Sequence, residues 1–266
     1  MFVIPFHNID PVIFRISSAI SLNWYGVSYL AGVIFVMFRS ERMANYRRTE
    51  FPSGVFQNCM FWAMVSIVVG GRLGDVLFYN FEYYFYNPLL IFATWKGGMS
   101  FHGGLIGAVI AAILYTKYHK VNFTSFMDIL SVNIPIALMF GRLANFINGE
   151  LYGRPTDVSW AIPFPKGGNI PRHPSQLYEA MLEGLLLYFV LRWIYKFAYN
   201  KKGVTASTFL VGYGIARFIA EYFRDAEGLS WIQCESLSGG QILSIPMIIA
   251  GLGMMLFFNS KAVKQK

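Results

Sequence analysis

An arginine, two asparagines and a glutamate break into the stretch GRLANFINGELYG, Gly141 to Gly153, whose first half continues an apolar run. Arg142, Asn145 and, one turn on, Asn148 or Gly149 share a helical face, so a guanidinium and a carboxamide can point into one cavity. The polar tail NGELYG then leaves the helix, with Gly149 and Gly153 letting the chain fold over the cavity mouth while Glu150 contacts a cation. A helix C-cap and turn is the plain structural alternative, and both readings can hold together. Three more basic groups stand in similar settings: Arg72 in GGRLGD, His102 in SFHGGLIG and Arg217 in GYGIARFIAEYFRD. Guanidinium forks match phosphate oxygens with paired hydrogen bonds, and imidazole exchanges a proton near neutral pH. Binding an anion and moving a proton is the chemistry open to such a set.

The elements that must position these residues are membrane helices. Of 266 residues 55% are hydrophobic and 14% charged, and the mean hydropathy is +0.45. That is more apolar surface than one soluble core encloses. Spans are expected near 19–38, 57–79, 99–116, 125–146, 176–195, 206–223 and 240–258, each close to the length that crosses a bilayer. Helices are the form that satisfies backbone polar groups in lipid. The expected fold is an all-α integral membrane protein of seven transmembrane helices, one domain over 1–266 with a small cap at 147–175. The amino terminus lacks the pattern of a removable signal peptide, so the first span is expected to be retained.

Basic residues cluster after the first, third and fifth spans (Arg39, Arg42, Arg47, Arg48; Lys117, Lys120; Lys196, Lys201, Lys202) and in the tail (Lys261, Lys264, Lys266). The opposite side holds Arg15, Lys96, Arg154, Lys166, Arg172 and Arg224. This bias places the amino terminus outside and the carboxy terminus in the cytoplasm. It also accounts for the net charge of +8 without nucleic acid as a partner. Between the second and third spans NFEYYFYNPLLIFATW reads as an interfacial segment. Gly70, Gly71, Gly74, Gly103, Gly104 and Gly107 read as close helix contacts. Cys59 and Cys234 form no metal-binding pattern and receive no role.

At about 1.5 Å of rise per residue, His102 lies roughly 9 Å below the external boundary, Arg142 roughly 9–12 Å, Arg217 roughly 10 Å and Arg72 roughly 12 Å. Each has a structural alternative. Arg72 can pair with Asp75, Arg217 with Glu221 at i, i+4, and Arg142, with no carboxylate one turn away in its own helix, can snorkel. His102 can be a neutral imidazole satisfied by a neighbouring helix, and Tyr25 and Tyr213 can be packing or belt aromatics. An unpaired arginine at a helix centre costs about 2.5–3.5 kcal/mol. Asp75, Glu150 and Glu221 offset part of this charge. A bound phosphate offsets it better, and just below the outer headgroups that phosphate is a phospholipid's.

At these residues the chain resembles the prolipoprotein diacylglyceryl transferases. The family pattern G-R-x-x-N-F-x-N-x-E-x-x-G is matched at Gly141, Arg142, Asn145, Phe146, Asn148, Glu150 and Gly153. FHGGLIG at 101–107, RHPSQLYEA at 172–180, GYGIARFIAEYFR at 212–224 and GGQILSIPM at 239–247 are similar too. Asp75 stands where the family usually has an aromatic, and the arm from Gly153 to Arg172 is short for it. The resemblance implies a bacterial inner-membrane enzyme acting on the periplasmic side. It would transfer the diacylglyceryl group of phosphatidylglycerol to the lipobox cysteine of a prolipoprotein signal peptide, release glycerol phosphate, and precede signal peptidase II.

Such a transfer needs a thiol of pKa about 8.5 turned into a thiolate and a stabilised departing phosphate. Arg142 and Arg217 are the candidates for holding the phosphate, with Asn145 as a further donor. His102 is the candidate base or, alternatively, an orienting group for the lipid. Tyr25, Tyr213, Glu150, Gly153, Glu221 and Arg72 complete the expected substrate-binding set. No metal, nucleotide or other cofactor is required, because the donor lipid is already an activated phosphodiester. The competing class is a transporter of a small anion or lipid, since intramembrane arginines also line substrate paths. Against it, the polar residues lie toward one side and no repeated halves are evident. A retinal-type receptor lacks its last-span lysine, and an intramembrane protease lacks its serine–histidine or paired-aspartate set.

Overall fold

Apolar runs became helices here, and their polar interruptions became the places where helices meet. The computed structural model describes residues 4–7, 9–15, 21–46, 50–198, 200–225 and 237–264. Arg47, Arg48, Cys234 and Lys266 lie outside them. A short hairpin, β1 (Val12–Arg15) paired with β2 (Ser21–Asn23), leads into α1 (Trp24–Asn45). Then follow α2 (Val55–Phe78), α3 (Phe81–Tyr86), α4 (Phe101–Tyr118) and α5 (Phe123–Ile147). A second hairpin, β3 (Ile162–Pro163) with β4 (Pro171–Arg172), sits in the cap. Next, α6 (Ser175–Glu179) runs through a π-helical stretch (Ala180–Leu186) into α7 (Leu187–Ala198), followed by α8 (Val204–Ala220) and α9 (Gly239–Lys264). The architecture is helical, as expected, with two short hairpins added. Val55–Phe78, Phe123–Ile147 and Gly239–Ser260 are long and apolar enough to cross a membrane, and Val204–Ala220 is a shorter apolar helix. The first helix starts at Trp24 rather than near residue 19, because residues 21–23 pair as a strand, and α8 stops at Ala220 in a turn.

The chain divides into two compact units, Met1–Val36 with Met127–Lys266, and Met37–Phe126. In the second unit α2 and α4 lie so close that a Cβ built on Gly103 would collide with the Gly70 carbonyl, and one on Gly107 with that of Ser66. Only glycine permits that approach. Glu41 of α1 starts α2, accepting from the Gly54 and Phe56 N–H groups at 2.6 and 3.1 Å. Between these helices α3 and the 3-10 turns Pro88–Phe92 and Thr94–Lys96 leave Phe81, Phe85, Tyr86, Leu89, Phe92 and Trp95 exposed.

In the first unit Asp128 of α5 performs the same service for α8, accepting from the Gly203 and Ala206 N–H groups at 2.6 and 2.8 Å. These bonds satisfy donors that a helix start leaves without intrahelical partners. The cap closes over fully buried Phe164, on which Tyr152 stacks at 5.6 Å. Arg172 ties it together through Asp225, the Gly153 carbonyl and the Gly167 carbonyl, its guanidinium lying 4.8 Å from the Tyr152 ring.

Candidate active site

In the first unit two glutamates gather the arginines. Glu179 ends α6 and Glu183 lies four residues on, in the π-helical stretch, a helical form that recurs at functional sites. Their side chains are 0–1% exposed. Glu179 Oε2 lies 2.8 Å from Arg142 Nε, while Oε1 accepts from Arg217 Nη1 at 3.2 Å and Arg224 Nη1 at 3.4 Å. Glu183 Oε2 accepts from Arg142 Nη2 at 3.2 Å, and its Oε1 stands 3.6 Å from Arg217 Nη1. Glu221 Oε2 meets Arg217 Nη2 at 2.8 Å, the i, i+4 pair anticipated from the sequence.

Arg142 and Arg217 therefore converge, from α5 and α8, and besides Glu221 the structure gives them Glu179 and Glu183, acids that the sequence reading did not count among those offsetting their charge. Buried carboxylates already serve them, because leaving such cations unpaired in low dielectric is prohibitive. The guanidinium groups retain some access, Arg142 being 17% and Arg217 16% exposed. Arg142 Nη1 has no protein partner among the described residues. Tyr213, stacked on Phe209, faces the same charges.

One turn along α5 the Asn145 side chain donates to Glu150 Oε1 at 2.9 Å, and Asn148 to the same oxygen at 3.4 Å. The chain leaves the helix through Gly149 at φ 61°, left-handed backbone that favours glycine. Gln176 Nε2 donates to the Glu150 carbonyl at 2.8 Å and Ser175 Oγ to that of Leu151 at 3.1 Å, fixing the turn to the start of α6. Gly153 lies where a Cβ would strike the carbonyls of His173 and Phe223. Its N–H bonds His173 O at 2.9 Å, so it is a point of close chain approach. Tyr25, at the start of α1, bonds the Tyr29 hydroxyl at 3.1 Å and lies within electrostatic reach of Glu150 and Arg142. In the cap His173 bonds the Tyr178 hydroxyl at 3.2 Å, and burial pushes its imidazole pKa below the ordinary value.

Two expected site residues belong to the second unit. Arg72, 4% exposed, donates to the Tyr84 hydroxyl and the Ala93 carbonyl, with Asp75 at 4.0 Å. Tyr84 in turn donates to Asp75, which also accepts from Asn80 at 3.1 Å. This network braces the segment between α2 and α4. His102 is exposed in the first turn of α4, whose start is capped by Ser100 Oγ accepting from the Gly103 N–H at 3.2 Å. Cys59 is buried in α2. Among the described residues no group of three His, Cys, Asp or Glu side chains is arranged to hold a metal ion.

The sequence reading missed Glu179, Glu183 and Arg224. The signal for the first two was available: carboxylates at i, i+4 in an apolar run, with no cation one turn away in their own helix, carry the same penalty that singled out the arginines.

The model of the prolipoprotein diacylglyceryl transferase family matches residues 11–257. The phosphatidylglycerol–prolipoprotein diacylglyceryl transferase of Pasteurella multocida strain Pm70 is 45% identical over 266 residues, 98% of this chain and 96% of the relative. That of Brucella anthropi is 43% identical over 97% of this chain and 95% of its own. That of Vibrio vulnificus strain YJ016 is 45% identical over 95% and 92%. On full-length similarity of this degree, the chain belongs to the prolipoprotein diacylglyceryl transferase family.

Proposed function

We infer that this chain is a multi-pass membrane transferase that moves the diacylglyceryl group of phosphatidylglycerol to the lipobox cysteine of a bacterial prolipoprotein. The thiol sulfur attacks the glycerol carbon that bears the phosphate. The carbon–oxygen bond to phosphate breaks, a thioether forms, and glycerol phosphate leaves while the thiol proton passes to a base. Arg142 and Arg217 hold the phosphate and stabilise the charge that grows on it, and Asn145 adds a donor. His102 is the base. Tyr25, Tyr213, Glu150, Gly153 and Glu221 shape and orient the pocket, and Arg72 acts by bracing its own segment. Seven helices cross the inner membrane, the amino terminus and the 147–175 cap facing the periplasm.

The convergence of Arg142 and Arg217 on one buried cluster, with an uncommitted nitrogen on Arg142, carries this reading. Purified protein in vesicles with glycerol-labelled phosphatidylglycerol and a lipobox peptide tests it. Thioether-linked label on the peptide cysteine, with glycerol phosphate released in equal amount, is expected. Transport of unmodified lipid or anion without transfer would refute it in favour of a carrier.

A further inference from the structure

The charge count around the arginines is already closed before a lipid arrives. Arg142, Arg217 and Arg224 contribute three positive charges, and Glu179, Glu183 and Glu221 three negative ones. Glu150, held one turn along by Asn145 and Asn148, adds another negative charge. Tyr213 from α8 and Tyr25 from α1 also face this set, and Tyr152, Lys166 and Asp225 line a cavity together with Glu150 and Arg224. A phosphodiester anion brought onto Arg142 and Arg217 adds further negative charge to the cluster, where charges interact strongly.

The hydrogen bonding points the same way. Glu179 Oε2, Glu183 Oε1 and Glu221 Oε2 are buried beside guanidinium nitrogens without a well-aligned donor. Ionised carboxylates only accept, and a phosphate accepts as well, so a headgroup that takes the open Nη1 of Arg142 brings no donor to these three oxygens. One proton converts a carboxylate oxygen from acceptor to donor and removes one negative charge. Glu179 and Glu183, both within 3.6 Å of Arg217 and both touching Arg142, are where it relieves most.

We propose that one carboxyl of the Glu179–Glu183 pair takes up a proton when the anionic headgroup binds, so that lipid binding and protonation are coupled in this cluster. The proposal rests on the headgroup reading of Arg142 and Arg217. Linkage gives its sign: with one proton taken up, affinity weakens by roughly tenfold per pH unit as pH rises through the coupled range.

Titration calorimetry of dihexanoyl phosphatidylglycerol into the detergent-purified protein, at one pH in two buffers of different ionisation enthalpy, counts the protons. About one per bound lipid is expected, and none for dihexanoylglycerol, which lacks the phosphate. Glu179→Gln and Glu183→Gln each remove the surplus charge, so both should bind the lipid with the uptake lost or sharply reduced. Saturable binding to the unaltered protein with no uptake and a pH-independent Kd overturns the proposal, as does uptake of undiminished size in both variants. Failure of the headgroup reading shows separately, as unchanged lipid affinity in Arg142→Lys.

Discussion

Replacing Arg142 by lysine keeps the positive charge and removes the fork. In the native chain one guanidinium serves Glu179 through Nε at 2.8 Å and Glu183 through Nη2 at 3.2 Å, leaving Nη1 for a ligand. An ammonium is a compact point charge on a flexible stem, so it can serve the carboxylates or the departing phosphate but not both. The carboxylates win, because they are buried at all times at 0–1% exposure. The phosphate then lacks a donor where charge develops, a loss worth about 10²–10³ in kcat, or about 2.7–4 kcal/mol. Alanine does further damage, since stripping one partner from a buried ion pair destabilises by about 3–5 kcal/mol. Transfer to a lipobox peptide at saturating phosphatidylglycerol, alongside thermal unfolding in the same detergent, separates the two effects. Arg142→Lys should melt near the native temperature and transfer about 10²–10³ more slowly, and Arg142→Ala should be inactive and melt lower. A lysine variant within about tenfold of the native rate would make Arg142 a structural counterion and refute its part in holding the phosphate.

Asp128, 2% exposed, makes two charge-assisted bonds to the start of α8. At about 1.5–3 kcal/mol each, Asp128→Ala should lower thermal stability severely and Asp128→Asn by about half as much; unchanged melting of the alanine variant would remove the capping role. Gly103→Ala drives a methyl into the Gly70 backbone, which cannot yield as a side chain can, so a loss of about 1–3 kcal/mol is expected, and equal stability would mean that α2 and α4 are not held at this distance. His102→Gln should slow transfer by about 10²–10⁴ and abolish the acidic limb of the pH–rate profile. A near-native rate with an unaltered profile would leave His102 the lipid-orienting role.

The apolar runs were legible because lipid imposes helices on any long apolar stretch whatever its neighbours do. So were the Arg217–Glu221 pair, set by helical spacing alone, and the turn from Asn148 to Gly153, set by its polar and glycine residues. The full-length resemblance named the family, which the comparisons then established. The sequence had no means to show which carboxylates faced Arg142, because Glu179 and Glu183 lie 37 and 41 residues away on another helix. A π-helical stretch, which no periodicity argument anticipates, follows Glu179 directly and holds Glu183. Arg72 was legible in part: the intrahelical pair with Asp75 that its spacing suggested forms at 4.0 Å, but only the fold brings the Tyr84 hydroxyl and the Ala93 carbonyl to the same guanidinium. Local composition and spacing determined which residues are costly to bury. Only the tertiary structure decided which of them cancel one another, since ion pairing at a few ångströms depends on where separate helices meet.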